Sequence, residues 1–588
     1  MVVVFARKAG GLPNVDVSQQ QNFVSSRSAM SSLISAVSWV RRGVAVQHPT
    51  KYVLDDKELE RVSALERIEV EDAKKELERA HKAALAMGKR EEGDEADDAV
   101  DEDGNEEDWV DEPSDEDAMD VDSGVKKRDP NDLSEYNLDD YDAEEDDIAT
   151  AAGPFSNIKG LTYYQNDEDD PYITLKEDDN AAEREELEVL PTDNLLVVAK
   201  TEDEISQLEV YVYEESEDNL YVHHDLMLPN FPLCLEWLDF PPTTAGTSSS
   251  PAAPFGNYIA VGTLDPEIEI WSLDVLDAMY PTSVLGRPDE TQAHVPIPLG
   301  TGKKKRKKTK HRSSTTSHHV DAVLALSWNK THRTLLASGS ADRTVKLWDL
   351  SRDPSINGEG GGAIRSFDLH TDKVQAVRWN EKDPSVLLTG SYDRTVRTFD
   401  TRTPDSGVAA VVGSDVEAMK WDPWEDSGFY VSLENGMVLN FDVRKMSSDL
   451  NQPSPARFTL SAHDGAASGL DINPHIRGCI ATGGNDKVVK VWNVQDDQKN
   501  VSLVTSRDLG VGKVFSVAFS PDDPLTLAAA GSKAKLQIWD VGANMGARKA
   551  FGAKLKEAGR VLREREAGDG QGGVVGVASD DEESGDEE

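Results

Sequence analysis

The chain has 588 residues, with 110 acidic against 62 basic side chains and a formal net charge of −48. Two cysteines, Cys234 and Cys479, lie far apart without metal-ligand spacing, which excludes a disulfide scaffold and points to a reducing compartment. No stretch approaches the roughly 18 apolar residues of a membrane helix, and no secretory signal is visible.

Residues 1–29 contain Arg7, Lys8 and Arg27 against one acid, Asp16, a composition that fits either a weak transit peptide or, the preferred reading, an atypical extension ahead of a start at Met30. Residues 30–90 form an N-terminal segment in which Asp55 and Asp56 cap a helix over 56–87. Its apolar stripe (Leu59, Val62, Leu65, Ile68, Leu77) is thin, so the helix needs a partner surface. Residues 91–184 are acidic and expected to be largely disordered: Glu91 to Asp122 holds 19 acids and no Lys or Arg, so self-repulsion expands it. Such a tract either solubilises the chain or mimics nucleic-acid charge toward a basic partner.

From there to about residue 550 the chain is periodic. Five times a large apolar residue is followed 20 positions later by an aromatic one: Trp328 and Trp348, Trp379 and Phe399, Trp421 and Phe441, Ile472 and Trp492, Phe519 and Trp539. Three units place His319, His370 or His463 nine residues before the first marker. Four place Asp342, Asp393, Asn435 or Asp486 six residues before the second. The period matches a four-stranded propeller blade, and alternation with period two cut by Gly, Asp and Asn excludes helix-pair solenoids. Within one unit, Val323–Trp328, Leu335–Ser338 and Thr344–Trp348 read as strands, with Asp342 in a turn where a short polar side chain can bond the backbone and tolerate unusual dihedrals. Upstream, Trp237, Tyr258–Gly262 and Ile268–Trp271 make a further blade, interrupted by an insertion at 241–254. Leu195–Ala199 and Leu208–Tyr213 belong to a first one. The expectation is an all-β, seven-bladed propeller over 185–550, closed by Tyr172–Leu175 or by the segment around Phe551.

Leu336 to Asp349 resembles the WD-repeat family almost letter for letter, and Thr389–Asp400 and Thr482–Asn493 are similar. The resemblance implies a buried relay from Trp to Ser or Thr to His to Asp: Trp348, Ser338, His319 and Asp342 in one blade, Trp492, Thr482, His463 and Asp486 in another. The blade ending at Phe399 keeps Thr389, His370 and Asp393 without an indole donor. Val412 and Gly510 stand at the His position in the two remaining blades, so these cannot form it.

A basic run, Lys303-Lys304-Lys305-Arg306-Lys307-Lys308-Thr309-Lys310, occupies a loop insertion at about 286–317 and fits a nuclear import signal or an RNA-phosphate contact. The last domain, 551–588, is read as a helix and an acidic disordered tail; the helix-prone stretch itself, Ala547 to Glu566, is basic and is taken as solvated or as an RNA-touching arm. Ser114, Ser579 and Ser584 precede acids as in sites of acid-directed kinases, where phosphate would add charge to tracts already negative. The triplet His223-His224-Asp225 near Cys234 lacks an evident nucleophile–base pair or a metal set, so no catalytic, cofactor or metal residue is expected. It reads as the outer strand of a blade, turning at Pro229 and Pro232.

Three further stretches are more specific: Ser38-Trp39-Val40-Arg41-Arg42-Gly43 with Lys51 to Asp56, Glu135 to Asp142, and Leu220 to Asp239. With the acidic tract, the Lys-rich insertion and the tryptophan period, they resemble the periodic tryptophan protein family, first member, over about 31–550. That resemblance implies a nuclear and nucleolar scaffold in ribosome biogenesis, acting in large-subunit maturation and ribosomal RNA processing, with links to chromatin and ribosomal-DNA transcription. The implied partners are pre-ribosomal proteins and particles, ribosomal RNA and histones; no membrane and no small-molecule substrate is expected. A competing reading is an acidic chaperone for one basic client.

Overall fold

In the computed structural model the described residues are 32–52, 573–577, and 184–557 apart from 186, 204, 243–254, 288–313, 353–361, 450–451, 453 and 496–499. The expected helix over 56–87 and the acidic tract therefore lie outside the described residues, as does Tyr172–Leu175.

Seven four-stranded antiparallel sheets are arranged as blades. Strands are named a to d from the inside out. Blade 3 is typical: Val323–Trp328, Leu335–Ser340, Val345–Asp349 and Arg365–Phe367 pair in sequence order. Blades 4, 5 and 6 start their inner strands at Val374, Val416 and Gly469. In blade 2 the inner strand is Pro232–Leu238, and Asn219–Leu228 is the outer strand of blade 1, as expected for the histidine-containing stretch.

The 20-residue period has a simple geometric cause. Trp328 sits directly across from Leu336, and Leu336 from Trp348, so the two markers end one row that crosses three strands. Successive cross-strand positions on one face pack against each other. The same row recurs as Trp379–Leu387–Phe399, Trp421–Phe429–Phe441, Ile472–Ile480–Trp492 and Phe519–Leu527–Trp539.

Closure differs from the expectation. The inner strand of blade 1 is Ser32–Val40, which pairs with Asn194–Glu202 across some 150 intervening residues, and the outer strand of blade 7 is Val574–Gly576. The ring therefore reaches beyond 185–550 at both ends. The segment around Phe551 supplies no strand because it is helical: Met545–Glu557 turns Ala547, Phe551 and Leu555 into the interface of blades 6 and 7. Positions i, i+4 and i+8 share one helix face. The helix is thus not merely solvated, although Lys549 and Lys556 stay exposed on its far side.

Seven buried clusters fill the seven junctions between neighbouring blades, one cluster per junction. The cluster joining blade 1 to blade 7 brings Ile34, Trp39, Leu196 and Tyr211 against Ala528, Ala530, Leu536 and Ile538. A ring with every junction packed leaves no sheet face open around the axis.

Candidate functional site

The relay implied by the WD-repeat resemblance is formed in blades 3 and 6. The Trp348 indole Nε1 donates to Ser338 Oγ at 2.8 Å, Ser338 Oγ lies 2.6 Å from His319 Nε2, and His319 Nδ1 is 2.9 Å from Asp342 Oδ2. In blade 6, Trp492 Nε1 donates to Thr482 Oγ1 at 2.9 Å, His463 Nε2 is 2.8 Å from Thr482, and His463 Nδ1 is 2.9 Å from Asp486. Blade 4 keeps the inner half: His370 bridges Thr389 at 2.9 Å and Asp393 at 3.0 Å, and Phe399 offers no donor.

Burial pushes His319 and His463 below the usual histidine range against the pull of their aspartates. Burial also pushes the Asp342 carboxyl upward, but the hydrogen bonds from His319 and Thr344 outweigh it and hold it at about 2. Each aspartate also caps the turn, since Thr344 N and Thr344 Oγ1 donate to Asp342 Oδ1 at 2.9 and 2.7 Å. The aspartate itself does not adopt the left-handed dihedral. The next residue does: Arg343 has φ 73°, Arg394 64° and Lys487 69°. In blade 5 a glycine, Gly436, takes φ 80° without a Cβ penalty.

The Trp, Ser or Thr and His members of the relay are buried between the strands, so the relay serves the blades. Open cavities lie elsewhere, at the two mouths of the central channel. One mouth is lined by the first markers, among them Trp237, Trp328, Trp379 and Trp421. The other is ringed by residues bulged out of the inner strands at their opposite ends.

Several functional positions were missed in the sequence. Asn329, Asn380 and Asn473 directly follow a first marker; each caps its own turn and reaches into the next blade, donating to Pro384, Asp426 and Pro524 carbonyls at 2.8, 3.0 and 2.6 Å. Their signal was legible as Asn at marker plus one. The ring-closing seam was missed too: Arg42 makes a bidentate pair with Asp523 at 3.0 and 2.7 Å and reaches Glu215 at 2.9 Å, and Trp39 Nε1 donates to Ala518 O at 3.0 Å.

Lys303, Lys304, Lys305, Arg306, Lys307, Lys308 and Lys310, and Ser114, Ser579 and Ser584, lie outside the described residues. His223 and His224 sit on the blade 1 outer strand with their Nδ1 atoms 2.7 Å apart, and His223 Nε2 lies 3.0 Å from Leu187 O. Burial, then the neighbouring His223, lowers His224 to about 3. Burial raises the Cys234 thiol to about 12, the opposite of an activated nucleophile. Among the described residues no cluster of His, Cys, Asp and Glu suits a metal ion.

The model of the WD domain, G-beta repeat, matches residues 310–349, 361–400, 455–493 and 507–540, which end at the third strands of blades 3, 4, 6 and 7. An uncharacterized WD repeat-containing protein of Schizosaccharomyces pombe is 41% identical over 90% of this chain and 92% of its own length. Periodic tryptophan protein 1 of Saccharomyces cerevisiae is 37% identical, covering 89% of this chain and 90% of that protein. The chain belongs to the periodic tryptophan protein 1 family. The Drosophila melanogaster homologue, 31% identical over 88% of this chain and 96% of its own length, extends the likeness. Within this family the chain is a WD-repeat scaffold.

Proposed function

We propose that this member of the periodic tryptophan protein 1 family is a non-catalytic nuclear and nucleolar scaffold in ribosome biogenesis, acting in large-subunit assembly and ribosomal RNA processing. The observation that carries the reading is the segregation of charge along the sequence, into tracts outside the strands of the ring. In sequence, the run Lys303–Lys310 falls between the outer strand of blade 2, Ser283–Leu285, and the relay histidine of blade 3, His319. A dense cationic run suits an import receptor or an RNA backbone. Long acidic arms suit basic pre-ribosomal proteins. Sedimentation of the tagged protein decides the matter: it should co-migrate with large-subunit precursors, and absence of co-migration with or without RNase removes the reading. Neutralising the loop should exclude the protein from the nucleus and change its neighbours in proximity labelling.

A second reading, an acidic chaperone for one basic client such as a ribosomal protein or a histone, is favoured by Glu91–Asp122. Deleting that tract should abolish client solubility in vitro; unchanged solubility counts against it. Ser114, Ser579 and Ser584 are proposed phosphorylation sites that deepen the same negative charge.

A further inference from the structure

Six of the seven inner strands carry a one-residue irregularity where they enter the ring, and the displaced residues are Ser35, Leu233, Leu324, Gln375, Glu417 and Phe515. A bulge re-aims a side chain out of the ladder. All six line the same cavity of about 690 Å³ at that mouth of the channel. Five are neutral and half-buried. Glu417 is the exception on both counts, because it is charged and only 8% exposed.

A buried carboxylate is costly unless it is paired. No described residue forms a hydrogen bond or ion pair with the Glu417 side chain, whereas other channel charges are matched: Arg378 with Glu236 at 3.3 Å and Lys420 with Asp471 at 3.0 Å. Among the described residues lining this cavity, Asp321, Asp372, Asp415 and Glu434 join Glu417 against Lys373 and the already paired Arg378 and Lys420; Arg394 holds Asp415 from outside at 3.2 Å. Burial first, and then the charges of Glu417, Asp415, Glu434 and Asp372, push the Tyr392 phenol upward, so the described residues make the field at this mouth negative.

We infer that this mouth receives a single arginine or lysine side chain from a basic segment of a partner protein, seated in the channel with Glu417 as its counter-ion. The apolar ring members Leu233, Leu324 and Phe515 pack the methylene stem, Glu417 pairs with the cationic head, and the rim acids draw in the flanking basic residues. The inference depends on the ring alone and not on the ribosomal reading, so either can fail without the other.

The test uses the full-length protein and a peptide of alternating arginine and glycine with one benzoylphenylalanine, irradiated at physiological salt, with adducts mapped by mass spectrometry. Adducts are expected on the strands carrying Leu324, Gln375 and Phe515. Glu417→Gln should reduce them at least tenfold with no loss of thermal stability. Gln375→Lys, which supplies a cation from within, should do the same and decides the case if the first variant misfolds. Glu434→Gln should reduce them only two- to threefold. Adducts confined to the acidic tracts 91–122 and 580–588, mouth adducts unaffected by Glu417→Gln and Gln375→Lys, or a loss with Glu434→Gln as large as with Glu417→Gln would overturn the inference.

Discussion

Blades 1 and 3 contain the same cross-strand row built in opposite ways. In blade 3 the row Trp328–Leu336–Trp348 comes from 21 consecutive residues, and its relay is nearly as local. In blade 1 the row Trp39–Leu196–Tyr211 draws its first member from a strand some 150 residues upstream of the other two. Blade 3 can order itself from contacts close in sequence, whereas blade 1 forms only when the chain pays the entropy of closing a very long loop. The comparison shows where the ring is held shut: at the seam between blades 1 and 7, by Trp39, Arg42 and the cluster they cover.

The largest expected effect probes that seam. Trp39→Ala removes a buried indole and its bond to Ala518, and should destabilise by about 3–5 kcal/mol, as large-to-small core changes do. Trp328→Ala should cost about the same but locally, so limited proteolysis should cut blade 1 in the first variant and blade 3 in the second; identical digests would break the comparison. Next, Arg42→Ala leaves Asp523 facing Glu215 without its guanidinium. With the arginine side chain 26% exposed, a loss of about 2 kcal/mol in urea unfolding is expected, below the 3–5 of a fully buried pair.

The relay gives a smaller effect. Trp348→Phe recreates the state of blade 4 and should cost about 1–1.5 kcal/mol, the net worth of one buried hydrogen bond. A double-mutant cycle with Ser338→Ala should show coupling of about 1 kcal/mol, and additivity would mean that the indole bond contributes nothing.

The relay histidines also give an effect in pH. His319 and His463 are lowered in the fold, so the unfolded chain binds their protons first. Their contribution is complete above the ordinary value of 6.5 and declines as pH falls below it, by at most about 1.4 kcal/mol per pH unit for each histidine. Asp342, held at about 2, adds a loss only below its ordinary 3.8. His224, lowered to about 3, adds to this loss between pH 6.5 and 5, while Asp523, raised to about 6 in the seam, opposes it, and His463→Gln should remove one histidine's share of the pH dependence of the melting temperature.

The contrast between the two blades also explains what was legible in the sequence. Rows that recur every 20 residues and polar residues at fixed offsets appear directly as periodicity, so the blades ending at Trp348, Phe399, Phe441, Trp492 and Trp539 could be read, whereas the relay of Trp348 and Trp492 came from the WD-repeat resemblance. Ser32–Val40 could not, because strand pairing across some 150 residues leaves no local trace. The stretch Ser38 to Gly43 was noticed only for its resemblance, and its physical reason is the seam. Val574–Gly576 is three residues long, too short for alternation to show. In the helix Met545–Glu557, six cations in and just beyond its range hid an apolar face of three residues. Glu417 was invisible because a bulge, not a pattern, turns it into the channel.

Hydrogen–deuterium exchange followed by mass spectrometry tests the closure most directly. Backbone amides of residues 32–40 should exchange as slowly as those of Val323–Trp328, since both are inner strands of one closed ring. Exchange of residues 32–40 within seconds, beside a protected blade 3, would show that the N-terminal strand does not close it.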